Sequence, residues 1–214
     1  SIYIATFFWE LSPFQIGFLA IANLIGFHLG FFFASVAHKR FDKRWTIVFS
    51  AAGLSVFWST AVTLGLLGLA PANSSLQLVV FIIFWSIFSS VFGSVLNISV
   101  MSALADITDE HEAKTGRRQE GIFYSARTFF SKTSNAIGHV VAGIAIEYYV
   151  FLTPGSIQGQ VPVDVLFRLG VVEGPFAMVW GLIAALFYAG YRIDRDSYER
   201  VQAQLKEQRS KTAT

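Results

Sequence analysis

The stretch LQLVVFIIFWSIFSSVFGSVLNISVMSALA, from Leu76 to Ala105, passes thirty residues without one Asp, Glu, Lys or Arg. A helix needs about 20 mostly apolar residues to cross the hydrocarbon of a bilayer. A barrel strand needs roughly ten that alternate apolar with polar, and here the apolar residues run on continuously. Lipid offers no hydrogen-bond partner to an open backbone, so such a run must be helical. The neighbouring sequence agrees: Trp45 to Ala105 is 61 residues without a charge, and Leu11 to His38 is another 28. Of all 214 residues, 54% are hydrophobic and only 14% charged, where a soluble domain carries roughly 25% charged residues. The 22 Phe would leave too little polar surface to cover a water-soluble globule. These numbers exclude soluble enzymes and disordered or collagen-like chains. With no Cys, disulfides and thiolate chemistry are excluded as well.

Turn-forming and charged segments divide the apolar sequence. ELSPF follows a stub at 1–9, HKRFDKR follows a span at 14–37, and PANSS separates spans at 45–70 and 76–104. A charged segment, DITDEHEAKTGRRQEG, precedes a span at 119–150, and a Pro/Gly loop precedes the last span at 166–191. The expectation is an all-α integral membrane bundle over 1–193, a stub plus five full helices, with a polar tail at 194–214. The chain opens at Ser1 and runs straight into IYIATFFW, which reads as the interior of a longer chain.

Loops on the cytoplasmic side of a membrane are enriched in Lys and Arg. The 38–44 loop holds Lys39, Arg40, Lys43 and Arg44; the 106–121 segment holds Lys114, Arg117 and Arg118; the tail from Arg192 holds six more. The opposite loops hold only Arg168, within i, i+4 reach of Asp164. The basic loops and the C-terminus are therefore expected in the cytoplasm of a cell bounded by this inner or plasma membrane. A net charge of +2 gives no reason to expect a nucleic-acid partner.

A charge at bilayer depth is expensive, which makes intramembrane ionisable residues functional candidates. Lys132 lies about 20 Å along its span, counting 1.5 Å per residue from Gln119. Ser125, Thr128, Asn135, His139 and Gly143 share its helix face, a polar stripe suited to a water-filled cavity. There Lys132 would serve as a cationic hydrogen-bond donor to hydroxylated or anionic ligands. Arg127 falls off that stripe and is expected to snorkel or pair. Asn23 and Asn97 are candidates for lining the cavity or, equally, for interhelical hydrogen bonds; His28 and His139 are candidates for carrying protons, though a neutral, hydrogen-bonded His is commoner. Ser86, Ser90, Gly93 and Ser94, like the Gly26 to Gly30 pair, have the small-residue spacing of close helix packing. Glu173, beside Gly174 and Pro175, reads as capping a kink or pairing with Arg168. Asp109, Glu110 and His111 could suggest a metal site, but their basic surroundings read as a solvated loop. No catalytic, phosphate-loop or dinucleotide motif occurs in a suitable context, so no enzyme activity and no bound cofactor are expected.

The segment LADITDEHEAKTGRRQEGIFYSARTFFSKTSNAIG, Leu104 to Gly138, closely resembles the join between the tenth and eleventh helices of the glycoside-pentoside-hexuronide:cation symporters. That family is the melibiose-permease branch of the major facilitator superfamily. LSPFQIGFLAIANLIG is similar to the start of its eighth helix, and YRIDRDSYERVQAQL to its C-terminal extension. The resemblance implies the C-terminal six-helix half of a transporter that works by alternating access. It implies that Lys132, Tyr124 and Thr128 belong to the sugar and cation network, and that Asp106, Asp109, Glu112, Arg117 and Arg118 form a cytoplasmic gate. It further implies a sugar or glycoside as substrate and a coupling Na+ or H+ whose ligands lie on an N-terminal half absent from this chain. Two other readings of the same residues are a transporter of lysolipids or similar amphiphiles, and a membrane scaffold or sensor that transports nothing.

Overall fold

The computed structural model describes residues 1–73, 75–190, 201 and 203–205. Among them every regular element is helical. The stub forms a π-helical turn at Ile4–Phe8. Helix α1 spans Pro13–Arg40, α2 spans Lys43–Leu66, and α3 spans Leu76–Thr115. Helix α4, Glu120–Ala145, runs on into a π-helical turn at Ile146–Val150. Helix α5 is Val163–Val171 and α6 is Ala177–Tyr188, joined through a π-helical turn at Val172–Phe176 that contains Pro175. Pro175 has no N–H and its ring crowds the preceding turn, which accounts for the widened helix there. The expected tail at 194–214 lies outside the described residues except for 201 and 203–205, which are helical.

Local sequence sets the helix ends. Ser12 accepts from the Gln15 backbone N–H at 3.3 Å while the Gln15 side chain accepts from the Ser12 N–H at 2.8 Å, and Pro13 occupies the first turn. This reciprocal cap satisfies two donors that the helix itself cannot. Ser75 caps α3 by accepting from the Leu78 N–H at 3.1 Å. Gly116 ends α3 with φ at +68°, a conformation open to Gly at little cost.

Two expectations change at this level. The charged segment 106–121 is not a loop along most of its length, because α3 continues unbroken to Thr115. Forty residues of helix are about 60 Å long, so the last turns extend past a hydrocarbon core of about 30 Å. The Lys114–Glu110 ion pair, one turn apart, supports that extension. The helix expected over 119–150 is present, but four others are the ones both long and apolar enough to cross a membrane: Pro13–Arg40, Lys43–Leu66, Leu76–Thr115 and Val163–Tyr188. The polar stripe of α4 holds its hydropathy below theirs.

Helix α3 is the mast of the bundle. Along α1 the buried residues are Ala22, Gly26, Gly30 and Ala34, one row at i, i+4 pressed against α3. A Cβ at Gly26 would stand 2.5 Å from the Ile87 carbonyl oxygen, and one at Gly30 would collide with Ser94. On the other side of α3, Phe57 of α2 stacks on Phe88 and Phe92 with centroids 5.3 and 5.2 Å apart. Helix α6 closes on α2 where Gly181 meets Ser55. At the end of the bundle opposite the basic loops, Trp9, Leu11, Leu78, Val150 and Leu169 form a buried apolar cluster that ties the stub to α3, α4 and α5.

Gly26→Ala should weaken the α1–α3 contact by about 1–3 kcal/mol, the usual range for an overpacked interface. Gly17→Ala, with nothing within 4 Å of the added methyl, should not lower stability. Thermal unfolding of the two variants in detergent, measured side by side, checks the difference.

Candidate functional site

Helix α4 presents its polar stripe without cover. Every residue from Thr128 to Ile144 is exposed, and among the described residues the ring and hydrogen-bond contacts that join α4 and its start to α3 lie near the basic loop. There the His111 ring lies 5.3 Å from Phe123 and bonds Gln119 at 3.1 Å. Lys132 makes no hydrogen bond or ion pair among the described residues. The Ser125 hydroxyl donates to the Gly121 carbonyl at 2.6 Å and that of Thr128 to Tyr124 at 2.9 Å. His139 donates from Nδ1 to the Asn135 carbonyl at 2.6 Å, which leaves Nε2 as an acceptor. The groups left on this face to meet a ligand are the Lys132 ammonium, the Asn135 amide and His139 Nε2. Together they offer donors on a cation, a neutral amide and one acceptor, a set suited to a hydroxyl-rich or anionic solute. Tyr124 stands half-buried near the start of the same helix.

The remaining candidates fall elsewhere. Ser90 donates to the Asn23 amide oxygen at 2.7 Å, joining α3 to α1. Asn97 is exposed on α3. His28 donates from Nδ1 to the Leu24 carbonyl at 2.8 Å and sits in a shallow depression walled by α1 alone. No hydrogen bond or ion pair among the described residues joins Lys132 to Asn97 or His28. Ser94 and Gly93 pack, as their spacing implied: Ser94 lies against Gly30, and a Cβ added at Gly93 would meet Leu54 at 3.5 Å. Between the stub, α2 and α3 a small cavity of about 90 Å³ is bordered by Ser86, Ser89 and Glu173.

The acidic and basic residues of the expected gate divide into two groups. Asp106, only 5% exposed, accepts from Lys43 Nζ at 2.8 and 2.6 Å on its two carboxylate oxygens, which locks the start of α2 to α3. Two turns of α3 closer to the membrane, the Ser99 hydroxyl donates to the Val95 carbonyl at 2.7 Å, so His38 Nε2, 2.8 Å away, must be the donor to Ser99. Further out, Arg118 bonds Glu120 from Nε at 3.0 Å and lies 3.6 Å from Glu112. The Glu120 hydrogen bond, and then its charge, hold the Arg118 guanidinium above its ordinary pKa. Arg117 donates its backbone N–H to Thr115 Oγ1 at 3.3 Å. Asp109 has interactions of its own in this region. No group of three His, Asp or Glu among the described residues has the arrangement of a metal site. Lys43 and His38 were not singled out from the sequence. Their partners lie 63 and 61 residues away, and only their position at the basic ends of adjoining helices signalled them.

Four helices long and apolar enough to cross a bilayer define a multi-pass membrane protein. The chain belongs to the MFS/sugar transport protein family, whose profile matches residues 1–195. Similar proteins include an uncharacterized symporter of Synechocystis sp., 31% identical over 55% of this chain and 23% of its own length. A protein of Escherichia coli named as a glycoside/cation symporter is 28% identical over 48% of the chain and 20% of its own length. A sodium-dependent lysophosphatidylcholine symporter of Danio rerio is 26% identical over 50% and 20% respectively. The matched segments thus cover a fifth to a quarter of these relatives. No solved structure matches the chain. Family membership places the chain among membrane transport proteins, with the bilayer as its medium. It agrees with the resemblance read from Leu104 to Gly138.

Asp106→Ala removes the carboxylate bonded to the half-buried Lys43 and should cost about 1.5–3 kcal/mol, the range for hydrogen bonds to a charged group. The exchange Lys43→Asp with Asp106→Lys should recover part of that loss. Unfolding midpoints of the single and double variants in detergent give the coupling directly.

Proposed function

We propose that this chain is the C-terminal half of a cation-coupled sugar or glycoside symporter that works by alternating access, with its basic loops and C-terminus in the cytoplasm of a cell or inner membrane. The observation that carries the reading is Lys132, a cation with no ion pair or hydrogen bond among the described residues, about 18 Å along α4 from Glu120 at 1.5 Å per residue, on a face shared with Asn135 and His139. A cation kept at that depth against its insertion cost calls for a ligand. The match to the MFS/sugar transport family and the symporter names of two bacterial relatives support it. On this reading Lys132, Asn135 and His139 hold substrate hydroxyls, with Thr128 and Tyr124 beside them. An N-terminal half supplies the facing wall and the ligands of the coupling Na+ or H+. Asp106, Lys43, Glu112 and Arg118 join the helix ends on the cytoplasmic side, where a transporter of this kind must open and close.

The Danio rerio relative favours one second reading, in which Lys132 holds the phosphate of a lysolipid instead of a sugar hydroxyl.

The test is uptake by the full-length protein in proteoliposomes, with labelled glycosides and imposed Na+ or H+ gradients. Concentrative uptake should require a gradient, and Lys132→Ala should reduce it about tenfold or more, the equivalent of losing a charge-assisted hydrogen bond of about 1.5–3 kcal/mol. Wild-type uptake in that variant would remove Lys132 from the path. Competition by lysolipids but not by glycosides would select the second reading.

A further inference from the structure

A groove between α1 and α2, floored by α3, belongs to none of the residues assigned above. Its volume is about 550 Å³, inside the range of roughly 300–1,000 Å³ typical of ligand sites. Leu29, Phe33, Phe49, Phe92 and Val95 form its walls, with Arg40 at one end. Its two hydroxyl residues turn inward: Thr46 donates to the Asp42 carbonyl at 3.1 Å and Ser50 to the Thr46 carbonyl at 2.5 Å. Apart from Arg40, the groove therefore offers a ligand only apolar surface. Phe33 and Phe49, 51% and 62% exposed, leave it open along its side. From Leu29 to Arg40 is eleven residues, about 16 Å of helix, roughly half of a hydrocarbon core of about 30 Å. The groove thus has the depth of one leaflet.

Charge completes the description. The 38–44 loop at its mouth carries four cations and one acid, Asp42. Lys43 is held by Asp106, whereas Lys39 and Arg40 have no ion pair among the described residues. An apolar slot one leaflet deep, with uncompensated cations at the headgroup level, is complementary to a lipid with an anionic head. We propose that the α1–α2 groove is a binding site for an anionic phospholipid of the leaflet on the basic-loop side, its acyl chain along Phe33 and Phe92 and its phosphate on Arg40. Only the name of that leaflet, cytoplasmic, rests on the orientation proposed above. The site itself is independent of the substrate reading, and it binds lipid whether or not glycoside uptake is observed.

The experiment is native mass spectrometry of the full-length protein released from nanodiscs of equal phosphatidylglycerol and phosphatidylcholine, with no transport substrate present. Phosphatidylglycerol should be retained about fivefold over phosphatidylcholine, the preference that one Lys or Arg near an anionic headgroup confers. Arg40→Ala should bring the ratio close to one. Val36→Trp, which adds a ring at a lining position, should reduce retention of both lipids. Phosphatidylglycerol with a photoreactive acyl chain should label peptides containing Phe33 or Phe92 in the wild-type protein, a readout that needs no variant to fold. Equal retention of the two lipids, an unchanged ratio in Arg40→Ala, or labelling confined to other helices would overturn the proposal. So would a cross-linked second copy of the chain covering Phe33 and Phe49.

Discussion

Lipid tails are as apolar as Leu, so burying apolar side chains does little to hold two membrane helices together; close backbone approach must do it. In this chain that approach occurs where Gly26 and Gly30 of α1 meet Ile87, Ser90 and Ser94 of α3. The contact is close enough to leave the Ser94 hydroxyl buried with no partner among the described residues. The Ser90–Asn23 bond at its edge fixes the register, and so does the His38–Ser99 bond further along the pair. With α1 and α3 in that register, Arg40 comes to the mouth of the groove beside α2, and Lys43 comes within reach of Asp106.

Helix α4 follows a different rule. A helix that carries Lys132, Asn135 and His139 along one face cannot also be apolar throughout, and among the described residues α4 is the long helix that falls short of the apolarity of a membrane span. Its apolar side, with Phe129, Phe130, Ile137 and Val141, is as exposed as its polar side. What holds α4 is its two ends: the His111, Phe123 and Gln119 contacts near the basic loop and Val150 in the apolar cluster at the other. The bundle therefore has a packed part, α1, α2, α3 and the Val163–Tyr188 helix, and a polar helix pinned to it at top and bottom.

The scarce charges have separate uses. Lys43 with Asp106 and Arg118 with Glu112 and Glu120 join helix ends. Asp164 lies 3.7 Å from Arg168 one turn on. Lys39, Arg40 and Lys132 carry no such partner among the described residues, and neither do Arg44, Arg117 and Arg127. In a chain with only 14% charged residues, this division separates charges that join helix ends from charges without an ion pair among the described residues.

Much of this was legible in one dimension. The uncharged runs, the Ser12–Pro13 and Ser75 starts and the Gly116 stop mark helices through local rules of capping and hydropathy. The stripe around Lys132, the Gly26–Gly30 pair and the Asp164–Arg168 pair follow from helical period alone. The extension of α3 to Thr115 had a local signal too, in the Glu110–Lys114 spacing ahead of Gly116. Beyond these, tertiary structure decided the outcome. Periodicity states which side chains share a helix face, but in a uniformly apolar solvent it does not state which helix that face will meet. Asp106 with Lys43, Ser99 with His38, and the groove ending at Arg40 exist only because backbone packing sets α1 and α2 on either side of α3.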